Sequence, residues 1–517
     1  MIHRILLQID FWLVNALFLW AIAMAVQARR ALAAALAPER RQTVLWIAAL
    51  FVAGLLLRLF AVPHTTYTFD DTFFHLDIAA RMRDTLRFSV RFDDFAFGVG
   101  AEVLPKWMPV YHTLLSFVFR FAEPGAAAAE TCNAIVGALA VPAAFLLGRA
   151  LFRRDLSGLL LAALVCAYPA HLKFSGATGL EPISALLTIL ALAFAAVHWR
   201  SGDLPTALLA IAVSALCAMT RIDHSVTVAL VCGLVILKAL REPLGARRRL
   251  RILAALAALA FVGALLLLSY QNYAYWRAHP ISPTPLSALL FLFTNPLNTL
   301  ALPALAILGV AAMWRRDRIL AVALPGAWVL TLIGYTFVHR LDVNHADIQR
   351  LHLNTCAFQI ALATAALDFL LESPGRLRIA ALVAVLSAYG AGAFGSRGAI
   401  ARQYWPAERL DEVAWLEATA RRLGPNPVVL TQTPVFVRAV AGLSVAMVSA
   451  EALSRSYGER PVFYYRAPYW KRGTGPGAPD ALAASVESRF SLAPFATNRT
   501  AGGDEYGFFR MLPNPDP

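Results

Sequence analysis

The stretch YTFDDTFFHLDIAARMRD, Tyr67 to Asp84, places two carboxylates side by side, Asp70 and Asp71, directly after an apolar run from Leu45 to Val62. Adjacent carboxylates repel one another and are costly to desolvate near a bilayer. They are either solvated residues at the end of a span or a working pair. As a pair they hold their pKa values apart, so that one can deprotonate an acceptor hydroxyl. A helix starting here carries Asp71, His75 and Ile78 on one face at i, i+4 and i+7. That spacing makes Asp71 the first candidate base and Asp70 the second, with His75 in the substrate loop.

Three further groups have suitable chemistry. Glu181 precedes Pro182 at the head of an apolar run. It is either a helix N-terminal acid favoured by the dipole or an acceptor- or metal-binding carboxylate facing the aspartate pair. Arg221 and Asp223 stand in Thr-Arg-Ile-Asp-His. They are either a loop ion pair, worth about 0–1 kcal/mol if exposed, or part of a phosphate site. A guanidinium fork matches phosphate oxygens, and His224 stands beside it to assist. Asp93 and Asp94 solvate their loop, although carboxylates are also the ligands that hard divalent cations prefer.

The elements that must position these residues are membrane helices. The chain has 517 residues, 59% hydrophobic and 15% charged, with a mean hydropathy of +0.60; soluble proteins carry about 25% charged residues. Apolar runs near bilayer-spanning length recur at 5–27, 44–63, 127–151, 156–172, 180–199, 203–220, 224–240, 251–270, 297–314, 319–338, 352–371 and 377–395. The runs 156–172 and 203–220 are short enough to be tilted or broken. The net charge of +14 gathers in alternate short loops, including Arg29-Arg30, Arg153-Arg154, Arg247 to Arg249 and Arg315-Arg316. This is the positive-inside pattern and puts those loops in the cytoplasm. It does not imply a nucleic-acid partner, because no soluble face interleaves basic and aromatic residues. The five cysteines lie in apolar runs without a C-x-x-C pair and read as small buried hydrophobes. The first apolar run lacks a small-residue cleavage site and reads as a retained span.

The opposite loops, and with them Asp70, Asp71, Glu181 and Arg221, fall on the outer face. So do the cations Lys173, Arg277, His279, Arg340, His345, Arg350 and His352, most of which read as interfacial anchors. Loop 64–126 contains helix-like pieces at Phe73 to Leu86 and Pro109 to Phe121, the second amphipathic and expected at the membrane surface. Loop 271–296 is rich in proline and aromatics. After residue 395 the apolar runs stop. PAERLDEVAWLEATARRLG reads as a helix closed by Gly424, and DALAASVESRF as another. VVLTQ, SVAMVS, PVFYYR and YGFFRML read as strands. The expected organisation is a transmembrane domain over 1–395 and a small α/β domain over 396–517 on the outer face. Asn498-Arg499-Thr500 matches the glycosylation sequon, which matters only in a secretory-pathway protein.

The acidic pair followed by an aromatic-rich helix with Ala-Ala-Arg resembles the GT-C glycosyltransferases, polytopic enzymes that use polyprenyl-phosphate-linked sugars. DDTFFHLDIAAR looks like the opening of their arabinofuranosyltransferase-like branch. Three more pieces follow in that family's order over residues 44–300: SGATGLEPISALL, ALCAMTRIDHSVTVAL with Arg221 and Asp223 kept, and QNYAYWRAHPISPTPLSALL. A second likeness is to oligosaccharyltransferase catalytic subunits, through Asp71 to His75, Phe92 to Asp94 and the position of Glu181; this likeness implies that Asp71, Asp93, Asp94 and Glu181 could hold a divalent cation. Their W-W-D-Y-G motif is absent, and DEYG at Asp504 to Gly507 does not replace it.

The resemblance implies a polytopic α-helical membrane protein of GT-C architecture with about twelve transmembrane helices and a small C-terminal α/β domain. It implies inverting transfer of a sugar from a polyprenyl-phosphate donor to a hydroxyl of a glycan, lipid or protein acceptor. Asp71 or Asp70 is then the base, Glu181 the acceptor or metal carboxylate, and Asp223 joins His75 in the substrate loop. Arg221 would hold the donor phosphate, helped by Arg350, His224, Lys173 or His279. No cofactor is required, although a divalent cation, Mg or Mn, stays open. The place would be a bacterial inner membrane with the site on the periplasmic face. A lipid-linked oligosaccharide transferase is the alternative. A lipid or solute transporter is a second, which needs charges near the bilayer midplane; Arg58, near an outer end, is one of few candidates.

Overall fold

The structure is a computed structural model. It describes residues 2–64, 71–96, 102–105, 107–241, 245, 251–252, 255–256, 263, 296–299, 301–338, 346–372, 375–401, 407–467, 485–500, 503 and 505–513. Within these, the side chains of 2–6, 296, 334–338, 346–352, 354, 377, 407–409 and 513 are not described.

Lipid offers no hydrogen bonds to a backbone, so apolar runs of this length close their own bonds as helices. The described helices are α1 (Ile2–Leu36), α2 (Arg41–Leu56), α3 (Asp71–Thr85), α4 (Pro109–Val118), α5 (Ala126–Phe152), α6 (Asp155–Cys166), α7 (Pro169–Ser175), α8 (Glu181–Ser201), α9 (Leu204–Ala218) and α10 (Ser225–Arg241). After a gap in the described chain come α11 (Ala301–Trp314), α12 (Arg318–Val338), α13 (Ala346–Glu372), α14 (Arg376–Gly395), α15 (Arg397–Ala401), α16 (Ala407–Ala420), α17 (Pro434–Ala441) and α18 (Ala450–Ser454).

Seven described helices are long and apolar enough to cross a membrane, or eight if α6 and α7 form one span bent by 55°. The described residues do not bring the count to the expected twelve. Leu204–Ala218, Ala301–Trp314 and Arg318–Ile333 are shorter apolar helices, and most of 251–270 lies outside the described residues. The bend falls where the sequence requires it. Pro169 cannot continue the α6 ladder, and Tyr168 before it is extended at ψ 115. Helices α5 and α8 form the interior, with 78% and 83% of their most apolar stretch buried, whereas the span containing α2 is 11% buried and faces outward.

Helix α2 ends in a π turn, Leu57–Ala61, that buries Arg58. Its guanidinium donates to Gly54 O at 2.8 Å and Ser175 Oγ at 3.3 Å, and meets His171 Nδ1 at 2.7 Å. Arg58 therefore ties α2 to α7. The five cysteines are free, and all but Cys232 are buried, as small apolar residues would be.

The piece expected at the membrane surface is instead an interior helix. In α4, Val110, Tyr111, His112, Thr113, Leu115 and Ser116 are all buried, because α1, α3 and α5 cover it on several sides. The start of α1 meets the end of α3 and the chain after it: Phe88 N donates to Leu7 O at 2.7 Å and Gln8 Nε2 to Thr85 O at 3.2 Å.

Beyond α15 the chain forms a five-stranded sheet in the order β4-β3-β5-β7-β6, from β3 (Val428–Thr431), β4 (Ser444–Met447), β5 (Val462–Arg466), β6 (Phe490–Arg499) and β7 (Glu505–Pro513). β3 pairs parallel with β4 and β5, and β7 pairs antiparallel with β5 and β6. Phe490, expected at the end of a helix, opens β6. The helix after Trp405 ends at Ala420, short of Gly424, which turns the chain at φ +83 a few residues on. Earlier in the chain, β1 (Val90–Arg91) and β2 (Glu102–Val103), between α3 and α4, pair antiparallel.

Candidate active site

Asp71 is the first residue of α3 and is half-buried. A carboxylate in that position interacts favourably with the helix N-terminus. One residue on, buried Thr72 donates its hydroxyl to Thr178 O at 3.3 Å. This bond joins the first turn of α3 to the loop that leads into Glu181.

Glu181 opens α8 and is 1% exposed. Its loop is clamped from α5 by Asn133, whose side-chain amide donates to Ala177 O at 2.6 Å, Gly179 O at 2.8 Å and Tyr111 Oη at 3.2 Å. Gly176 fits the loop against the end of α2, where a Cβ would meet Pro63 O at 3.0 Å. Burial, first, and then nearby Cys132 push the Tyr111 phenol well above its usual range, so Tyr111 stays neutral.

Arg221 faces Glu181 from the α9–α10 connection, with Nη1 3.7 Å from Oε1. Its Nε donates to the Asp223 carboxylate at 3.0 and 3.2 Å. The side chains of Arg221 and Asp223 are 16% and 14% exposed, so this pair remains within reach of a ligand. The main chain holds α4 against the same connection, since Val110 N donates to Met219 O at 3.1 Å.

His75 is buried and shares a 2.9 Å contact between its Nδ1 and His112 Nε2. His112 Nδ1 lies 2.9 Å from Met108 O. A carbonyl only accepts, so His112 carries its proton on Nδ1 and accepts from His75 Nδ1. Trp107 and Tyr111 pack edge-on against His75 at 5.4 and 5.5 Å. The expected face of α3 is thus built into an aromatic wall. His112 was not legible as a partner, being 37 residues away.

Other expected site residues are placed differently. His224 is buried, with Nε2 on Ser184 Oγ and Nδ1 3.3 Å from Thr188 Oγ1, so it packs against α8. Lys173 is buried and donates to Ala399 O at 2.9 Å and Ile400 O at 3.2 Å. That is the favourable place for a cation, at the C-terminal carbonyls of α15. Asp93 and Asp94 do not solvate a free loop. Asp93 meets Arg455 at 3.0 Å and Asp94 meets Arg438 at 2.9 Å. Asp70 and His279 lie outside the described residues, and Arg350 falls on α13 at a point where side chains are not described. No group of three or more His, Cys, Asp or Glu converges as a cation site among the described residues. The possible metal set of Asp71, Asp93, Asp94 and Glu181 is therefore not assembled there.

No protein-family model matches the chain, and no curated protein sequence matches it. Solved structures do. ArnT from Cupriavidus metallidurans in the apo state superposes with a TM-score of 0.59 at 13% identity, over 92% of this chain and 99% of that one. The apo oligosaccharyltransferase of Archaeoglobus fulgidus gives 0.55 at 13% identity, over 88% and 70%. Mycobacterial arabinofuranosyltransferase AftD gives 0.53 at 14% identity, over 93% of this chain and 42% of AftD, so the chain spans less than half of that protein. The fold is the GT-C fold that the motifs implied, and both branches whose motifs it resembles are among these structures.

Proposed function

We propose that this membrane protein is an inverting glycosyltransferase that moves a sugar from a polyprenyl-phosphate donor to an acceptor hydroxyl on the outer face of the membrane. The observation that supports it best is that the Thr72–Thr178 bond ties the start of the Asp71 helix to the loop of Glu181, which Arg221 faces at 3.7 Å. The fold adds support, because ArnT has been solved bound to undecaprenyl phosphate and the A. fulgidus enzyme in complex with a dolichol-phosphate.

Asp71 takes the proton of the acceptor hydroxyl, and that oxygen attacks the anomeric carbon from the face opposite the donor phosphate. The bond between the anomeric carbon and the phosphate oxygen breaks, its electron pair leaves with the phosphate, and the configuration inverts. Arg221 receives the developing phosphate charge as a fork of donors. Glu181 and Asp223 hold Arg221 in place until the donor arrives. The acceptor class is a glycan, lipid or protein hydroxyl. The membrane is the bacterial inner membrane, with the site on its periplasmic side.

The test is transfer from a panel of polyprenyl-phosphate sugars to an envelope extract, using purified protein with and without EDTA. Asp71→Asn should lower turnover by about 10²- to 10⁴-fold, the usual worth of a general base. Glu181→Gln and Arg221→Ala should weaken transfer, and Asp70→Asn reports on the second carboxylate. Unchanged transfer in the first three variants, or vesicle uptake of a solute without any lipid donor, would overturn this function.

A further inference from the structure

The C-terminal sheet reaches back to the helix that begins with Asp71. Helix α17 lies against α3, and Phe436 meets Phe73 edge-on with ring centroids 4.8 Å apart. Phe73 and Asp77 stand at i and i+4 on one face of α3, so α17 covers that face over a full turn. Arg438 of α17 closes the contact. Its Nε and Nη2 donate to the two oxygens of Asp77 at 2.6 and 3.0 Å, and its Nη1 donates to Asp94 at 2.9 Å. Nη2 also reaches the carbonyl of Arg91.

The Asp77 side chain is 3% exposed and that of Arg438 14%. A two-pronged guanidinium–carboxylate contact fixes both angle and distance, which a single point charge does not. The neighbouring chain is fixed as well. Asp94 N donates to Val445 O at 2.9 Å, Met447 N to Phe92 O at 3.0 Å, and Asp93 bridges to Ala446 antiparallel. The outer segment thus joins the edge of the sheet at β4, with Arg455 gripping Asp93 beside it.

An ion pair that only fastened the sheet to the membrane part could sit anywhere on the outer segment. This one sits on the helix that carries Asp71, six residues on, or about 9 Å at 1.5 Å per residue. A helix transmits displacement over so short a length with little loss. We infer that Arg438 is a positioning residue for Asp71: through Asp77 it sets the tilt and register of α3, so that the base sits where the acceptor hydroxyl must be. This rests on the assignment of Asp71 as the base.

The experiment uses the full chain in lipid nanodiscs, with Arg438→Ala, Arg438→Lys and Asp77→Asn. Hydrogen exchange is read across α3 and α8, with β3 and β5 as the control for the fold of the sheet. In Arg438→Ala, exchange across Asp71–Thr85 should rise about tenfold or more, as for a helix that has lost its tie, while Glu181–Ser201 stays as in wild type. With a polyprenyl-phosphate sugar as probe, kcat should fall about 10- to 100-fold, the cost of a small misplacement, with KM for the donor unchanged. Arg438→Lys should recover part of kcat. Should Arg438→Ala unfold the sheet, Asp77→Asn tests the same contact from the α3 side. Wild-type exchange across α3 in both Arg438→Ala and Asp77→Asn would overturn the inference. So would a raised KM with unchanged kcat. Loosened α3 together with full activity in Asp71→Asn would instead remove the base assignment and leave Arg438 a structural tie, which also overturns the positioning role.

Discussion

Glycine at 179 leaves room for the carboxylate of Glu181: a Cβ there would stand 2.3 Å from Oε2. Gly179→Ala must therefore displace that carboxylate and disturb its contact with Arg221. The variant should show the transfer loss of Glu181→Gln, and the double variant should be little worse than either, since both act on one contact. Additive losses in the measured rates would separate the two residues. His112 carries a pH consequence. Burial, first, and then the adjacent His75 ring hold its pKa well below the usual 6.5. The unfolded chain gains a proton near that pH and the folded chain does not. Stability is thus full above about pH 6.5 and falls as pH drops through it, by about 1.4 kcal/mol per unit. The melting temperature in detergent should fall between about pH 7.5 and 5.5, and His112→Gln should flatten the slope. An unaltered slope would put the titration elsewhere. At this scale the sequence displayed the i, i+4 spacing of Asp71 and His75, because it is local. It could not display the partners of Asp77, His75 or Lys173, which lie 361, 37 and 226 residues away.

Helices α11 and α13 touch where a side chain is missing. A Cβ on Gly309 of α11 would fall 1.8 Å from Leu362 O of α13, so Gly309→Ala must drive the two helices apart. Overpacking of this kind costs about 1–3 kcal/mol, and the melting temperature in detergent should drop. Gly326 of α12 has nothing within 4 Å of its would-be Cβ, so Gly326→Ala should be neutral or slightly stabilising, because alanine is the better helix former. Equal effects at the two sites would contradict this packing. Most helices were legible because a span is a long run of one chemistry. The bend between α6 and α7 was foreshadowed by the shortness of 156–172. The interior position of α4 was not, since an amphipathic pattern does not say whether protein or interface covers its apolar side. Strand β6 escaped notice because Pro494 interrupts it, with a register shift between Pro494 and Ala496, and its exposed edge carries few β-branched residues.

The two ends of the molecule differ in chemistry. At one end, ion pairs tie helix termini together: Arg149 to Glu39 at 2.6 Å, Arg154 to Asp368 at 3.6 Å, and Arg316 to Asp368 and Glu372. Lys238 and Arg241 lie over Trp199 at the same end. These are the basic loops that the positive-inside rule assigns to the cytoplasm. Glu181 and Arg221 lie at the other ends of α8 and α10, with the Asp71 helix joined to them through Thr72 and the C-terminal sheet joined to that helix through Arg438. Orientation and site are therefore one question. Arg30 and Ser456 are both exposed, on α1 and beside the sheet respectively, and four of the five native cysteines are buried, so cysteines introduced at these positions would label above a low background. In spheroplasts, a membrane-impermeant maleimide should label Ser456→Cys directly and Arg30→Cys only after the membrane is opened. The reverse pattern would put Asp71 and Arg221 on the cytoplasmic side, where the donor's phosphate and sugar would also have to be presented, and outer-face transfer would fall with it.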